Sequence, residues 1–155
     1  MGMRETFTPE EWENLLRLPY AVSMTIMMAA PNVLGIWGET KAMMQEPANL
    51  AATSSSALVG LLWAEMQAKM KDLMKEQQHA WKQDQAGYRT KTLGACTAAA
   101  GALAKIAPEE ALAYKKWVVA IGQKVAEASK EHGVLVSEPE QAALTEISGV
   151  LGITA

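Results

Sequence analysis

Ten methionines, two histidines and one cysteine are the side chains of this chain best suited to bind a metal or attack a substrate. Met66, Met70 and Met74 recur at steps of four, which puts three thioethers on one helix face. Soft thioethers hold Cu(I), but the same spacing serves an adaptable apolar core, and the stripe is read as core. Together with Met24, Met27 and Met28 it could instead line a pocket for a small apolar ligand or cofactor; these six are the candidate binding residues. His79 and His132 fall in different segments, with no Cys, Asp or second His at ligand spacing. A zinc site needs about four convergent ligands, so no metal site is expected. Cys96 lies in Gly94-Ala95-Cys96-Thr97-Ala98 without a neighbouring cation or base to make a thiolate, and is expected to be a buried hydrophobe. Neither glycine-rich phosphate loop is present. With no convergent acid, base or nucleophile, the chain is read as non-enzymatic, with no catalytic residue and no cofactor.

The elements that carry these residues are helical. Half of the 155 residues are hydrophobic and only 6% aromatic, with Ala, Leu and Met dominant. That mix favours helices over strands. The expectation is an all-α, single-domain irregular bundle of five or six helices over residues 1–155, ending in a helical hairpin. A net charge of −3 supplies no basic field for nucleic acid. A lone cysteine fits a reducing compartment, and Arg4 followed by Glu5, Glu10, Glu11 and Glu13 is no signal peptide. The expected location is the cytoplasm.

The stretch from Ala107 to Leu151 gives the clearest start and stop signals, and is expected to be the structural centre. Pro108 suits a first helical turn, and Glu109-Glu110 suit the positive end of the helix dipole. Leu112, Trp117, Val118, Ile121, Val125 and Ala128 form the predicted buried stripe. Lys130 and His132 suit the C-terminal end, and Gly133 can close it. Ser137 and Glu140 form a capping box, and Ala143, Leu144, Ile147, Val150 and Leu151 bury the returning helix, which Gly152 stops. Trp117 is expected to pack against Leu144 and Ile147.

The segment Gly133-Val134-Leu135-Val136-Ser137-Glu138-Pro139-Glu140-Gln141, with Leu144, Ile147 and Leu151-Gly152, resembles the helix–turn–helix of TerB-like tellurite-resistance domains. With the Thr-Pro-Glu-Glu-Trp start at Thr8, it is also similar to a group of small bacterial helical proteins. The TerB-like resemblance implies an acidic, metal-binding turn. Glu131-His132-Gly133-Val134 stands there without the aspartates, so no ligand carries over.

Thr8-Pro9-Glu10-Glu11 is a second capping box, followed by Trp12, Leu15, Leu16 and Leu18. Pro19 predicts a bend or a new helix start. Leu18 to Gly38 carries no charge, but its strongly apolar part, Ala21 to Ala30, is about half the roughly 20 residues a membrane span needs. A buried core helix is expected there, then a turn at Pro31-Asn32 and a short docking segment at Val33 to Trp37. Glu39 to Met44 reads as a turn or two of helix ended by Pro47, and Asn49 to Ser56 as a connection or the cap of the next helix.

Ala57 to Gln85 is the longest periodic run, with Leu58, Leu62, Met66, Met70, Leu73 and Met74 facing inward and Gly87 ending or kinking it. In the Ala-rich run Thr90 to Ile106, Leu93, Ala100, Leu103 and Ile106 share a face, and Gly94, Ala98 and Gly101 would permit close helix approach. The mixed charges from Lys69 to Lys91 read as a solvated face. The expected function is an interaction or accessory protein that binds a protein partner or itself. The alternatives are the Met-lined ligand module and a peripheral membrane subunit docking through Leu18–Trp37.

Overall fold

Helix α1, Pro9–Ala29, is the element that the others surround. Every residue from Leu18 to Met27 is buried. A helix that is apolar all round needs cover on every side, and α2 to α6 each pack against it. The uncharged stretch is therefore core over Leu18–Ala29, and no helix among the described residues is long and apolar enough to cross a membrane. The computed structural model describes residues 3–29, 36–128 and 136–153, with only the backbone of Ile36 and Trp37. The turn at Pro31-Asn32, the docking segment from Val33, and Lys130, His132 and Gly133 lie outside the described residues.

The architecture is an all-α single-domain bundle. A short 3-10 turn, Met3–Thr6, precedes α1 (Pro9–Ala29), α2 (Ile36–Ala52), α3 (Ala57–Gln83), α4 (Gln85–Leu103), α5 (Pro108–Ala128) and α6 (Glu138–Leu151). The central place belongs to α1 and not to the hairpin, because α1 alone lacks a solvent face along ten consecutive residues.

Two prolines expected to interrupt helices do not. Helix α1 runs through Pro19, and α2 through Pro47 as far as Ala52. Proline removes the donor for the carbonyl four residues back. For Pro19 that carbonyl belongs to Leu15, and the Tyr114 hydroxyl donates to it at 2.8 Å. Ser23 and Thr25 donate to the carbonyls of Pro19 and Ala21, both at 2.8 Å, so these hydroxyls are buried with a partner.

The expected caps form. Thr8 and Glu11 exchange side-chain to backbone bonds, as do Ser137 and Glu140. Gly152 ends α6 with φ 82°, the left-handed region that suits glycine. Ser56 caps α3, accepting from the Val59 N–H at 3.1 Å. The long run breaks at Asp84 rather than Gly87. Asp84 leaves the helical region (φ −151°), closes α3 through its N–H, and opens α4 by accepting from the Gly87 N–H at 3.0 Å.

Two faces differ in register from expectation. On α4 the buried side is Tyr88, Thr92, Cys96, Ala99 and Leu103; Leu93 and Ala100 are half-buried, as is Ile106 beyond the helix end. Gly94, Ala98 and Gly101 are exposed and admit no neighbouring helix. On α5, Leu112 is 41% exposed, and Ala111 and Tyr114 take the inward positions.

Helices α5 and α6 pack as antiparallel neighbours. A Cβ on Gly122 would meet Leu144, and one on Gly152 would approach Lys115, so numbers rise on one helix as they fall on the other. Trp117 is buried and tied to α2. Its indole N–H donates to the Pro47 carbonyl of α2 at 3.2 Å. At Gly122 of α5 an added Cβ would meet both Leu144 of α6 and Val22 of α1, so three helices come too close there for a large side chain.

Candidate interaction surface

The six candidate methionines occupy different surroundings. Met66 is fully buried, and Met24 and Met27 nearly so, all within the apolar core. Met28, Met70 and Met74 are half-buried at its margin. The structure does not gather them around one described cavity. A cavity of about 560 Å³ lies where the end of α1 meets the α3–α4 junction. It is lined by Thr25, Met28, Trp81, Gln85, Tyr88 and Arg89 among others, and takes one of the six. A smaller cavity of about 340 Å³ lies under Trp117 and Leu50.

The reactive side chains are placed as follows. Cys96 is fully buried, and desolvation pushes its thiol up to about 12, which disfavours the thiolate. Burial also raises Tyr114, with the nearby Cys96 adding to the effect. Tyr20 is pushed up to about 12 by burial alone. His79 is exposed on α3. Among the described residues, no three of His, Cys, Asp or Glu gather as a metal site.

The acidic side chains cap helices and tie elements together. Glu110 does more than serve the dipole of its own helix. Its carboxylate accepts from the Ser56 hydroxyl at 2.5 Å and from the N–H groups of Ala57 and Leu58 at 2.9 and 3.4 Å. One carboxylate thus sits at the positive ends of both α3 and α5. Partial burial acts to raise its proton affinity, but the Ser56 and backbone donors outweigh burial and hold the carboxyl below its usual range. Glu65 accepts from Arg4 at 2.7 Å, the Trp12 indole at 3.1 Å and Lys69 at 3.1 Å. With Arg17 bridging to Glu76 at 2.5 Å, these pairs lace α1 along α3. On the other flank Lys105 meets Glu11, lowering that carboxyl together with Thr8.

The unpaired feature of the described surface is apolar. Ala57, Gly60, Leu61, Ala64 and Ala68 lie on one face of α3, at the steps of three and four that align residues on a helix. All five are exposed, and Leu61 is 47% exposed. A Cβ at Gly60 would meet no atom within 4 Å. The only charge between residues 57 and 68, Glu65, turns away toward Arg4 and Trp12. Sequence reasoning found the opposite, buried stripe of α3 and passed over this one. The signal was present, since residues 57 to 68 carry apolar side chains on two faces and only one can be inside. Met44 on α2 (44%) and Leu112 on α5 (41%) are further exposed apolar side chains.

No family model, no curated protein and no solved structure matches the chain.

Proposed function

We propose that the chain is a non-enzymatic helical interaction protein of the bacterial cytoplasm, and that it associates with itself. The observation that carries this reading is the exposed apolar face of α3. A helix solvated on one side normally shows polar residues there, and an uncovered apolar face marks an interaction site. The placement of the chemistry-bearing groups supports the same reading: Cys96 is desolvated, and Glu11, Glu65 and Glu110 are engaged in caps and ion pairs. Sedimentation velocity of the purified protein across the micromolar range is the test. A monomer–dimer equilibrium that shifts with concentration is expected, and one monomeric species throughout overturns the reading.

A second reading, a module for a small apolar ligand, draws on the 560 Å³ cavity with its Met28 and Trp81 walls. That volume lies within the roughly 300–1,000 Å³ typical of ligand sites. Quenching of Trp81 fluorescence by an apolar probe, lost in Met28→Glu, would favour it over self-association.

A further inference from the structure

The 560 Å³ cavity at the end of α1 has polar side chains of two kinds. Those buried in its wall are already engaged. The Thr25 hydroxyl donates to the Ala21 carbonyl at 2.8 Å, and the Tyr88 hydroxyl donates to the Gln77 amide oxygen. Those nearer the mouth keep free donors: the Trp81 indole N–H, the Gln85 amide and the terminal nitrogens of Arg89, whose Nε alone donates to Glu146, at 2.9 Å. Against them stands one free amide acceptor, the oxygen of Gln85 itself. No carboxylate lines the cavity, and Glu146 balances the Arg89 charge from outside the lining. Met28, Ala29 and Ala86 supply apolar walls.

We propose that this cavity takes an uncharged apolar compound that carries a carbonyl oxygen, with its apolar body against Met28 and Ala29 and its oxygen toward the donors of Trp81 and Arg89. The class follows from the wall by elimination. A cation finds no carboxylate there and brings no acceptor. A pure hydrocarbon would take the free donors out of water without giving them a partner, which costs more than a hydrogen bond gains. An anion would have to share a guanidinium whose charge Glu146 already neutralises. A neutral carbonyl oxygen satisfies the donors, leaves the Arg89–Glu146 pair in place and needs no counter-charge. A few polar groups that fix the orientation of a mostly apolar molecule are the usual make-up of a small-ligand site.

This inference rests on the ligand-module reading, and its test separates the two. Binding of acetylnaphthalene, ethylnaphthalene and naphthoate to the full chain is measured by isothermal titration calorimetry. The three probes share a ring system and end in a ketone, a hydrocarbon and a carboxylate. The ketone should bind about five- to tenfold tighter than the hydrocarbon, the effect of one neutral hydrogen bond, and at least as tightly as the carboxylate. Trp81→Phe combined with Arg89→Met, with folding checked by circular dichroism, should abolish that preference, and Met28→Glu should abolish binding of all three. A ketone bound no tighter than the hydrocarbon by the wild type overturns the inference and leaves an apolar-ligand module standing. A carboxylate bound tighter than the ketone overturns the uncharged class. A preference that survives in the double variant overturns the assignment of the donors to Trp81 and Arg89. If no probe binds, or if binding persists in Met28→Glu, both readings of the cavity fall.

Discussion

The hydroxyl of Tyr114 donates to the carbonyl of Leu15 at 2.8 Å, and that carbonyl is the one Pro19 leaves without its helical partner. Helix α1 can therefore carry a proline in its buried middle, because α5 supplies the missing donor. Tyr114→Phe keeps the ring and removes the donor. It should cost about 1–3 kcal/mol, the usual penalty for a buried polar group left unpaired. In a Pro19→Ala background residue 19 regains an N–H, so the same change should cost clearly less. Chemical denaturation of the four proteins of this cycle measures the coupling; equal costs in both backgrounds would refute the relationship.

Glu110 gives the fold a specific acid sensitivity. A carboxyl held below its unfolded value stabilises the fold above that value, near 4.5, and loses the contribution as pH falls through its folded value. Glu110→Gln should therefore be less stable than the wild type at neutral pH, by about 1–3 kcal/mol for bonds to a charged acceptor. The gap should close as pH falls below about 4.5 and through the folded value. Urea titrations at several pH values follow it, and a gap independent of pH would show that the charge is not what Ser56, Ala57 and Leu58 require.

The caps were legible because their partners are three residues apart. Thr8 with Glu11 and Ser137 with Glu140 need no knowledge of the rest of the chain. The continuity of α1 was not legible, because Tyr114 stands 99 residues from Leu15. Leaving a helix at Pro19 is the sound local inference, and a tertiary bond overrules it. Helix α4 was misread for another reason. Ala, Gly and Thr occupy both of its faces, so periodicity alone could not choose between Leu93 and Cys96 as the inward side. The exposed face of α3 escaped notice because Ala and Gly look neutral beside the strong Leu58–Leu62–Met66 stripe.

Gly38 lies at a close approach between α2 and the end of α5. A Cβ there would collide with the backbone carbonyl of Ala128, which cannot rotate aside as a side chain could. Gly38→Ala should cost at least the roughly 1–3 kcal/mol typical of overpacking. Gly94→Ala, on an open face, should be neutral or mildly stabilising, since alanine is the better helix former. Thermal melts of the two variants give the comparison, and equal melting temperatures would argue against a tight α2–α5 contact.

Trp117 offers the sharpest division between a core and a recognition role. Its ring is 4% exposed, tilted against Tyr114 at 6.0 Å, and its N–H reaches the Pro47 carbonyl. Truncation to alanine removes that packing and the bond together, and should cost about 3–5 kcal/mol. That is a large share of the roughly 5–15 kcal/mol holding such a domain together. Trp117→Phe keeps most of the ring and loses only the N–H, so it should cost far less, about 1 kcal/mol for one hydrogen bond. The loss should appear as weakened docking of α2, because the indole N–H is bonded to the Pro47 carbonyl of α2. Hydrogen exchange reads this directly: amides of Glu39 to Leu50 should lose protection in Trp117→Ala before those of α6. If Trp117→Ala instead keeps wild-type stability and protection and loses only its oligomer, the side chain is an interface anchor and the core assignment fails.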